Sequence, residues 1–178
     1  IQEKFEESIR SYTGAKYAVA CMNGTVGLQV SLQLTGVSSD DIVIAPNLTF
    51  VATLNSIKYS GAQIVLIDIC EDTWQLDVNL LQKWLIENTK TEIVNGKTVT
   101  IDKKTGKKIG AIMPVYVLGG FINTQLLLKI SEKYGIPIVE DSTEALGSFK
   151  DGKHSGTYGV AGVISFNGNK IISSGGGA

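Results

Sequence analysis

The sequence predicts an α/β fold, in which a mostly parallel sheet carries helices on both faces. Two observations lead to this prediction. Along the 178 residues, short apolar runs typical of buried strands alternate with segments whose apolar residues recur at helical spacing. The composition, with 43% hydrophobic and 19% charged residues, is that of a folded chain with a core rather than a disordered one.

Helical segments and apolar runs alternate through the first half of the chain. The predicted helices are Ile1–Tyr12, a segment that begins at Asn23-Gly24-Thr25 and ends at Gly36, Val51–Tyr59, and Val78–Ile86 with Asp77 as its N-cap. The predicted strands between them are Tyr17–Cys21, Ile42–Ala45 and Ile64–Ile69. Because these runs are largely apolar, we expect the strands to be buried on both faces of the sheet.

A lysine-rich stretch interrupts the alternation between residues 90 and 108. Residues Glu92–Ile101 alternate around Asn95-Gly96, which predicts a two-residue β-hairpin. The stretch holds six lysines against two acidic residues, so either a solvent-exposed hairpin or a patch that attracts phosphate fits it. The alternation then resumes with strands at Ala111–Val117, Ile136–Val139 and Gly162–Phe166, and a helix at Thr124–Tyr134 that ends at Gly135.

Charge and residue counts exclude several classes of function. A formal net charge of −1 gives no electrostatic basis for binding nucleic acid or an anionic membrane. A single histidine, His154, removes most zinc and haem sites, and we expect it to be a loop residue. Cys21 and Cys70 form no disulfide framework, and we expect both to be small buried side chains. With no apolar run of about 18 residues and no signal peptide, a cytoplasmic location is expected.

Candidate ligand-binding residues follow the predicted strands, because ligands of open α/β sheets bind beyond the carboxyl ends of the strands. The helix start at Asn23-Gly24-Thr25-Val26 favours an anion such as phosphate, although a plain N-cap fits it equally. Residues Glu140-Asp141-Ser142-Thr143-Glu144 follow the strand at Ile136–Val139, and an acidic residue there could bind a metal, a cationic ring nitrogen or a hydroxyl, or it could cap a helix. Lys170 is either a surface lysine in a turn or, if partly buried, a nucleophilic amine.

An anion-binding helix start, a carboxylate and an amine at one edge of a sheet fit pyridoxal 5'-phosphate (PLP). The phosphate would take the helix start, the protonated ring nitrogen the aspartate, and the aldehyde the lysine as a Schiff base. The chain has no G-x-G-x-x-G after a strand and no G-x-x-x-x-G-K-[ST]. Dinucleotide binding and a P-loop are therefore less favoured.

Five motifs, spread over almost the whole chain, resemble those of the DegT/DnrJ/EryC1/StrS aminotransferases, which make amino sugars on nucleotide carriers. They are Gly14–Ala20, Asn23–Thr25, Pro46–Asn55, Val139–Gly147 and Ser165–Lys170. The last of them, followed by a glycine-rich tail, is the most specific. The resemblance implies that residues 1–178 are part of the large domain of a fold-type I PLP-dependent transferase, without its small C-terminal domain.

The resemblance also implies roles for the two reactive residues and for the phosphate site. Lys170 matches the lysine that binds the cofactor covalently and later moves protons. Asp141 matches the partner of the pyridinium nitrogen. Thr25, with the main chain of Gly24 and Val26, matches the phosphate cradle, and a second phosphate contact falls on Ser165.

Two further matches concern the cofactor ring. Phe50 matches the aromatic residue that stacks on the ring face. Glu144 falls where relatives use His, Gln or Glu near the ring hydroxyl. A carboxylate beside that phenolate would be repelled unless it were protonated or bridged by water.

The activity implied by the resemblance is an amino transfer in two halves. L-glutamate donates its amino group and leaves as 2-oxoglutarate, and a nucleotide-linked keto-sugar, commonly a 4-keto-6-deoxyhexose, receives it. Relatives with histidine in place of the lysine are dehydratases, so Lys170 favours amino transfer. The insertion Glu92–Lys108 resembles the subgroup that aminates UDP-linked 4-keto N-acetyl sugars, with GDP-linked perosamine-type substrates as the alternative.

The resemblance further implies a homodimer with active sites at the interface. Two competing hypotheses remain open. The first is a non-catalytic or truncated relative that acts as a scaffold or binding module. The second is a nucleotide-binding α/β domain without a covalent cofactor, which requires Lys170 to lie far from Asp141.

Overall fold

The chain folds into five α-helices and nine β-strands, and the computed structural model describes residues 1–178. The helices are α1 (Gln2–Thr13), α2 (Gly24–Leu34), α3 (Val51–Tyr59), α4 (Val78–Asn88) and α5 (Thr124–Tyr134). The strands are β1 (Ile42–Pro46), β2 (Gln63–Ile67), β3 (Thr89–Val94), β4 (Lys97–Asp102), β5 (Ile109–Ile112), β6 (Val139–Asp141), β7 (Phe149–Lys150), β8 (Lys153–His154) and β9 (Ala161–Val163). None of the helices has the length and apolar character needed to cross a membrane.

Five of the strands form the predicted parallel sheet. β2, β1 and β5 pair side by side in that order, and both pairings are parallel. Parallel bridges from Ile112 to Ile138 and from Val115 to Asp141 join β5 to the segment of β6. β9 pairs in parallel with β6. The order β2-β1-β5-β6-β9 therefore brings the carboxyl ends of these strands to one edge of the sheet.

Alternate residues of the central strand β1 belong to two separate cores. Ile42 and Ile44 lie in a cluster of 17 buried residues that includes side chains of α4 and α5. Val43 and Ala45 lie in a cluster of 11 buried residues that includes side chains of α2 and α3. Because successive residues of a strand face opposite sides of a sheet, helices cover both faces, as predicted.

Capping residues explain where the helices begin and end, and α3 and α5 have the predicted bounds. Asp77 caps α4, because its carboxylate accepts the N–H groups of Asn79 and Leu80 at 2.8 and 3.1 Å. α5 ends at Gly135, whose φ of 62° lies in the left-handed region. A Cβ at this position would lie 2.2 Å from the carbonyl oxygen of Thr98, so the close approach requires glycine.

The lysine-rich stretch forms the predicted hairpin, with Asn95-Gly96 at the turn between β3 and β4. The hairpin leads into the first residue of β5, so it lies at the amino edge of the sheet, opposite the carboxyl ends. Lys103 Nζ donates to two carbonyl groups at the end of α4, and Lys108 Nζ lies 3.2 Å from Asp41. β3 is largely exposed, whereas β4 is partly buried, and its Thr100 hydroxyl donates to the carbonyl of Tyr134 in α5. The hairpin is therefore only partly solvent-exposed, and its position does not support a phosphate-attracting patch at the ligand-binding edge.

One predicted strand is wrong, because Tyr17–Cys21 is irregular in the structure. Tyr17 and Val19 are 74% and 80% exposed. The segment pairs only through two main-chain hydrogen bonds between Cys21 and Ala178, at 2.8 and 3.1 Å. No strand of the sheet lies beside it, so this apolar run is not buried as predicted, and Cys21 is only half-buried.

Other predicted strands are shorter or shifted. β5 and β9 both end earlier than predicted. β6 covers Val139–Asp141 rather than Ile136–Val139, since its ladder with β9 runs over the later residues. Asp141 is thus the last residue of a strand, and the sheet holds its main chain. β2 is a partly exposed edge strand, and Cys70 beyond it is half-buried rather than buried.

Candidate active site

A pocket of about 190 Å³ opens at the carboxyl edge of the sheet. Six of the predicted site residues line it, namely Gly24, Thr25, Phe50, Asp141, Ser165 and Lys170. Of the other two, Glu144 contacts Lys170, and Val26 lies next along α2. The structure therefore gathers these residues from separate segments of the chain. No group of three or more His, Cys, Asp or Glu side chains is arranged to hold a metal ion.

The first turn of α2 presents unpaired main-chain donors. The Asn23 side chain accepts the N–H of Val26 at 2.9 Å and so caps the helix. The N–H groups of Gly24 and Thr25 have no acceptor within the chain. The predicted cap is therefore present, and beside it two N–H groups remain free for an anion. The Val26 N–H belongs to the cap, so its predicted contact with the phosphate is not available.

Gly24 allows the start of α2 to pack closely against the residues that follow β6 and β9. A Cβ at this position would lie 3.0 Å from Thr143 Cγ2 and 3.8 Å from Ser165 Oγ. The buried Ser165 hydroxyl accepts a 3.4 Å hydrogen bond from Asn167 N, which leaves its proton free to be donated. This hydroxyl and two free N–H groups at the positive end of a helix dipole form a site suited to a phosphate.

The Asp141 carboxylate is 3% exposed and is held by three protein donors. Thr53 Oγ1 donates to Oδ2 at 2.5 Å, while Thr143 donates to Oδ1 through its hydroxyl at 2.8 Å and its N–H at 3.2 Å. Burial raises the pKa of Asp141, and these hydrogen bonds and the charge of Lys170 oppose that rise. No helix follows β6, so the helix-cap alternative for Asp141 is wrong.

Lys170 reaches the same pocket from the turn that follows β9. Its N–H donates to Asn167 O at 3.0 Å, and its side chain is 12% exposed. Nζ lies 5.8 Å from the centroid of the Phe50 ring, which is itself largely exposed. The alternative that Lys170 is a surface lysine in a turn is therefore wrong. The open face of Phe50 is available for stacking with a planar ligand.

Glu144 joins the amine of Lys170 to the main chain of a 3₁₀ turn at Val117–Gly119. Its Oε1 lies 3.4 Å from Lys170 Nζ, and its Oε2 accepts the N–H of Leu118 at 3.2 Å. Leu118 has a φ of 52°, an uncommon conformation for a leucine.

Glu140 has a structural role that sequence reasoning missed. Because residues alternate along β6, its side chain faces the other side of the sheet from the pocket aspartate. The fully buried carboxylate accepts the Tyr116 hydroxyl at 2.5 Å. It also accepts three main-chain N–H groups, those of Gly156, Tyr158 and Gly159, at 3.0, 2.7 and 2.6 Å. Burial raises the pKa of Glu140, and the four hydrogen bonds oppose the rise.

The prediction that His154 is a loop residue is wrong. The side chain is fully buried, on strand β8. Its Nε2 accepts the N–H of Gly147 at 2.9 Å, so Nδ1 carries the proton and donates to the carbonyl of Ser155. The ring packs edge-on against Phe149, with centroids 4.9 Å apart. Burial lowers the pKa of His154, which is therefore a neutral structural residue.

Comparison with known protein families agrees with the geometry of the pocket. The sequence profile of the DegT/DnrJ/EryC1/StrS aminotransferase family matches residues 1–178. This chain belongs to the DegT/DnrJ/EryC1/StrS aminotransferase family. The resemblance seen in the five motifs is thereby confirmed over the whole chain.

Two curated relatives carry names of nucleotide-sugar enzymes. GDP-perosamine synthase of Caulobacter vibrioides is 35% identical over 172 residues, which cover 97% of this chain and 41% of the relative. UDP-2-acetamido-2-deoxy-3-oxo-D-glucuronate aminotransferase of Pseudomonas aeruginosa is 32% identical over 163 residues, which cover 92% and 40%. The chain thus spans about two fifths of the length of these relatives.

Solved structures of aminotransferases have the same fold. The DegT/DnrJ/EryC1/StrS aminotransferase from Brucella abortus has a TM-score of 0.86 and 28% identity, and the match covers 98% of this chain and 44% of that one. Streptococcus pneumoniae Spr1654, solved in its PLP form, has a TM-score of 0.81 and 25% identity, covering 99% and 44%. The predicted α/β fold class is confirmed.

Proposed function

We propose that this protein is a PLP-dependent aminotransferase. It moves the amino group of L-glutamate to a nucleotide-linked keto-sugar, in the biosynthesis of amino sugars for surface polysaccharides. The observation that carries the proposal is that Asp141, Lys170 and the unpaired N–H groups at the start of α2 line one pocket. A carboxylate, an amine and an anion site are the groups that PLP requires. Family membership and the PLP form of a structural relative support it.

The donors of the pocket fit the parts of PLP one by one. The N–H groups of Gly24 and Thr25, with the Ser165 hydroxyl, would hold the phosphate. Asp141 would pair with the ring nitrogen, and Phe50 would stack on the ring. The fit depends on a glycine at position 24, because a Cβ there would crowd the same cradle.

Lys170 carries the covalent and proton-transfer roles. Bound PLP supplies an aldehyde that takes up amino groups and a protonated ring that withdraws electrons from them. Lys170 Nζ would attach the cofactor through its neutral amine, with loss of water. As a proton carrier, the neutral amine would accept a proton from the reacting carbon, and the ammonium form would return one. Glu144 Oε1, 3.4 Å away, can accept the proton that Nζ releases.

The acceptor is a sugar that a nucleotide carries. The names of the GDP-perosamine and UDP-amino-uronate relatives support this class. The pocket of about 190 Å³ is smaller than the roughly 300–1,000 Å³ typical of sites for drug-sized ligands. It therefore suits a cofactor ring and phosphate, and the nucleotide would lie against other surfaces. UDP-linked 4-keto N-acetyl sugars and GDP-linked perosamine-type sugars are the two candidates, and analysis of the aminated product would distinguish them.

The chain is further proposed to be part of the large, PLP-binding domain of a homodimeric cytoplasmic enzyme. It covers about two fifths of its relatives' length, and six of the residues assigned to the cofactor line one pocket within it. The exposed Phe50 ring, at the mouth of the pocket, is consistent with a site that further protein surface completes.

Absorption spectroscopy tests the proposed function. The spectrum of the protein with PLP is recorded before and after addition of L-glutamate, with Lys170→Ala as the matched variant. We expect a visible band from covalently attached PLP, and a loss of this band with formation of 2-oxoglutarate when L-glutamate is added. The variant should lack the band. A folded wild-type protein whose spectrum is the sum of the separate components would contradict the proposal and favour the scaffold hypothesis.

A further inference from the structure

Two threonines hold the Asp141 carboxylate from opposite sides. Thr143 lies two residues away in the chain and donates to Oδ1. Thr53 lies on α3 and donates to Oδ2 at 2.5 Å across 88 positions of sequence. Both carboxylate oxygens therefore have fixed partners, and rotation of the carboxylate about its bond to Cβ would break them.

The hydrogen bonds around Thr53 have a defined direction. An ionised carboxylate only accepts, so the single Thr53 hydroxyl proton points to Asp141. The Thr49 hydroxyl lies 2.7 Å from the Thr53 hydroxyl and is then the donor in that contact, with Phe50 O as a second, longer acceptor at 3.3 Å. Thr53 is 1% exposed, so water does not replace either partner. The result is a short chain of hydroxyl groups that ends on Oδ2 of Asp141.

The first turn of α3 carries this hydroxyl together with the aromatic wall of the pocket. Thr53 is three residues after Phe50, and its N–H donates to Phe50 O at 3.1 Å. Residues three apart lie on one side of a helix. Phe50 and Thr53 both line the pocket. The first turn of α3 thus sets both the position of the Phe50 ring and the orientation of the Asp141 carboxylate.

We propose that Thr53 is a positioning residue, which orients Asp141 toward the ring nitrogen of a bound pyridine cofactor and keeps the carboxylate ionised there. The inference rests on the proposed function only for the identity of that cofactor. The hydroxyl acts through Asp141 and does not itself react. A hydrogen bond to the ionised form lowers a carboxyl pKa, and this opposes the effect of burial.

The other charges near Asp141 are few. Lys170 is the cation whose charge acts on it, and Glu144 is paired with that lysine. Glu140 lies on the opposite face of β6 with Tyr116. α2 contains no charged residue, and the only one in α3 is in its last turn. A change in the pKa of Asp141 after substitution of Thr53 therefore reports on the hydroxyl itself.

The test compares Thr53→Val, which keeps the shape and removes the hydroxyl, with Thr53→Ser, which keeps the hydroxyl. Two quantities are measured. The first is the pKa of Asp141 without cofactor, from ¹³C NMR titration of aspartate-labelled protein, with Asp141→Asn to assign the signal. The second is PLP affinity as a function of pH, from absorption titration. We expect Thr53→Val to raise the pKa by about one unit and to weaken PLP binding about tenfold, while Thr53→Ser stays near the wild type.

Each outcome decides a separate point. An unchanged pKa and affinity in Thr53→Val would overturn the proposal, and so would equal losses in the valine and serine variants, since packing alone would then explain them. If Thr53→Val does not fold, Thr49→Val should raise the Asp141 pKa by a smaller amount, and no rise would overturn the proposal. A folded wild-type protein that binds no PLP overturns the proposed function, whereas the NMR titration still tests the link between Thr53 and Asp141.

Discussion

The carboxylate of Glu144 lies 3.4 Å from the amine of Lys170. The same carboxylate accepts the N–H of Leu118 in the 3₁₀ turn. The amine assigned to the chemistry is therefore linked, through one side chain, to a turn whose central leucine has a left-handed conformation. Movement of that turn would shift Glu144 and so change its distance from Lys170. The conformation of Val117–Gly119 and the ion pair of Lys170 with Glu144 are therefore coupled.

Substitution of Lys170 by alanine removes the proposed nucleophile and proton carrier. We expect kcat for amino transfer to fall about 10²–10⁴-fold or more, since that is the usual contribution of a positioned acid–base group. Some PLP should still bind through the phosphate site and Asp141. Steady-state kinetics and absorption titration measure the two effects. Lys104→Ala, an exposed lysine of the hairpin, is the control, and full activity in Lys170→Ala would refute the assignment.

Asp141→Asn keeps the shape of the side chain and removes its charge. A hydrogen bond to a charged group contributes about 1.5–3 kcal/mol, so we expect PLP to bind roughly 10- to 100-fold more weakly. The exposed Asp151 in the turn between β7 and β8 provides the control Asp151→Asn. Equal PLP affinities of wild type and Asp141→Asn would show that the ring nitrogen does not depend on this carboxylate.

Burial of His154 predicts a loss of stability in mild acid. The pKa of His154 is lowered in the folded state, whereas it is about 6.5 in the unfolded chain. As pH falls below about 6.5, the unfolded state takes up the proton first, and the equilibrium shifts toward unfolding. The contribution of the buried neutral imidazole to the free energy of unfolding is complete above about pH 6.5 and decreases below it. Thermal unfolding between pH 5 and 8 should show this loss in the wild type but not in His154→Gln. The same dependence of the melting temperature on pH in both proteins would contradict the prediction.

Glu140→Gln tests the buried carboxylate on the other face of β6. The amide keeps one acceptor oxygen but turns an NH₂ group toward main-chain donors, which leaves buried N–H groups unpaired. We expect the free energy of unfolding to fall by about 2–3 kcal/mol. Urea denaturation measures it, with Glu132→Gln on the exposed side of α5 as the matched control. If both variants were equally stable, the four hydrogen bonds to Glu140 would carry little net stability.

The order of the elements and the main site residues could be predicted from the sequence, because local patterns determine them. Asp141 and Lys170 both follow apolar strands, and parallel strands bring their carboxyl ends together. The caps at Asn23 and Asp77 involve neighbours within three residues. Thr143 could also have been found, since a residue two positions after an aspartate is a common turn partner.

Contacts between distant segments could not be predicted. Thr53 meets Asp141 across 88 positions, and no local pattern indicates that pairing. His154 is buried by rings from Tyr12 and Phe149, which lie on different elements. The apolar run Tyr17–Cys21 predicts a strand, but a strand needs a neighbour in the sheet, and the sequence of five residues does not show whether one exists.

The hairpin of β3 and β4 lies at the end of the sheet opposite the pocket, and its tip at Asn95-Gly96 is exposed. The pocket residues come from segments at the other edge. A fluorescent label, an affinity tag or a surface tether inserted at this tip would therefore leave the pocket undisturbed. Protein immobilised through this tip would keep its pocket facing the solvent. The hairpin is therefore a suitable attachment point for ligand screening.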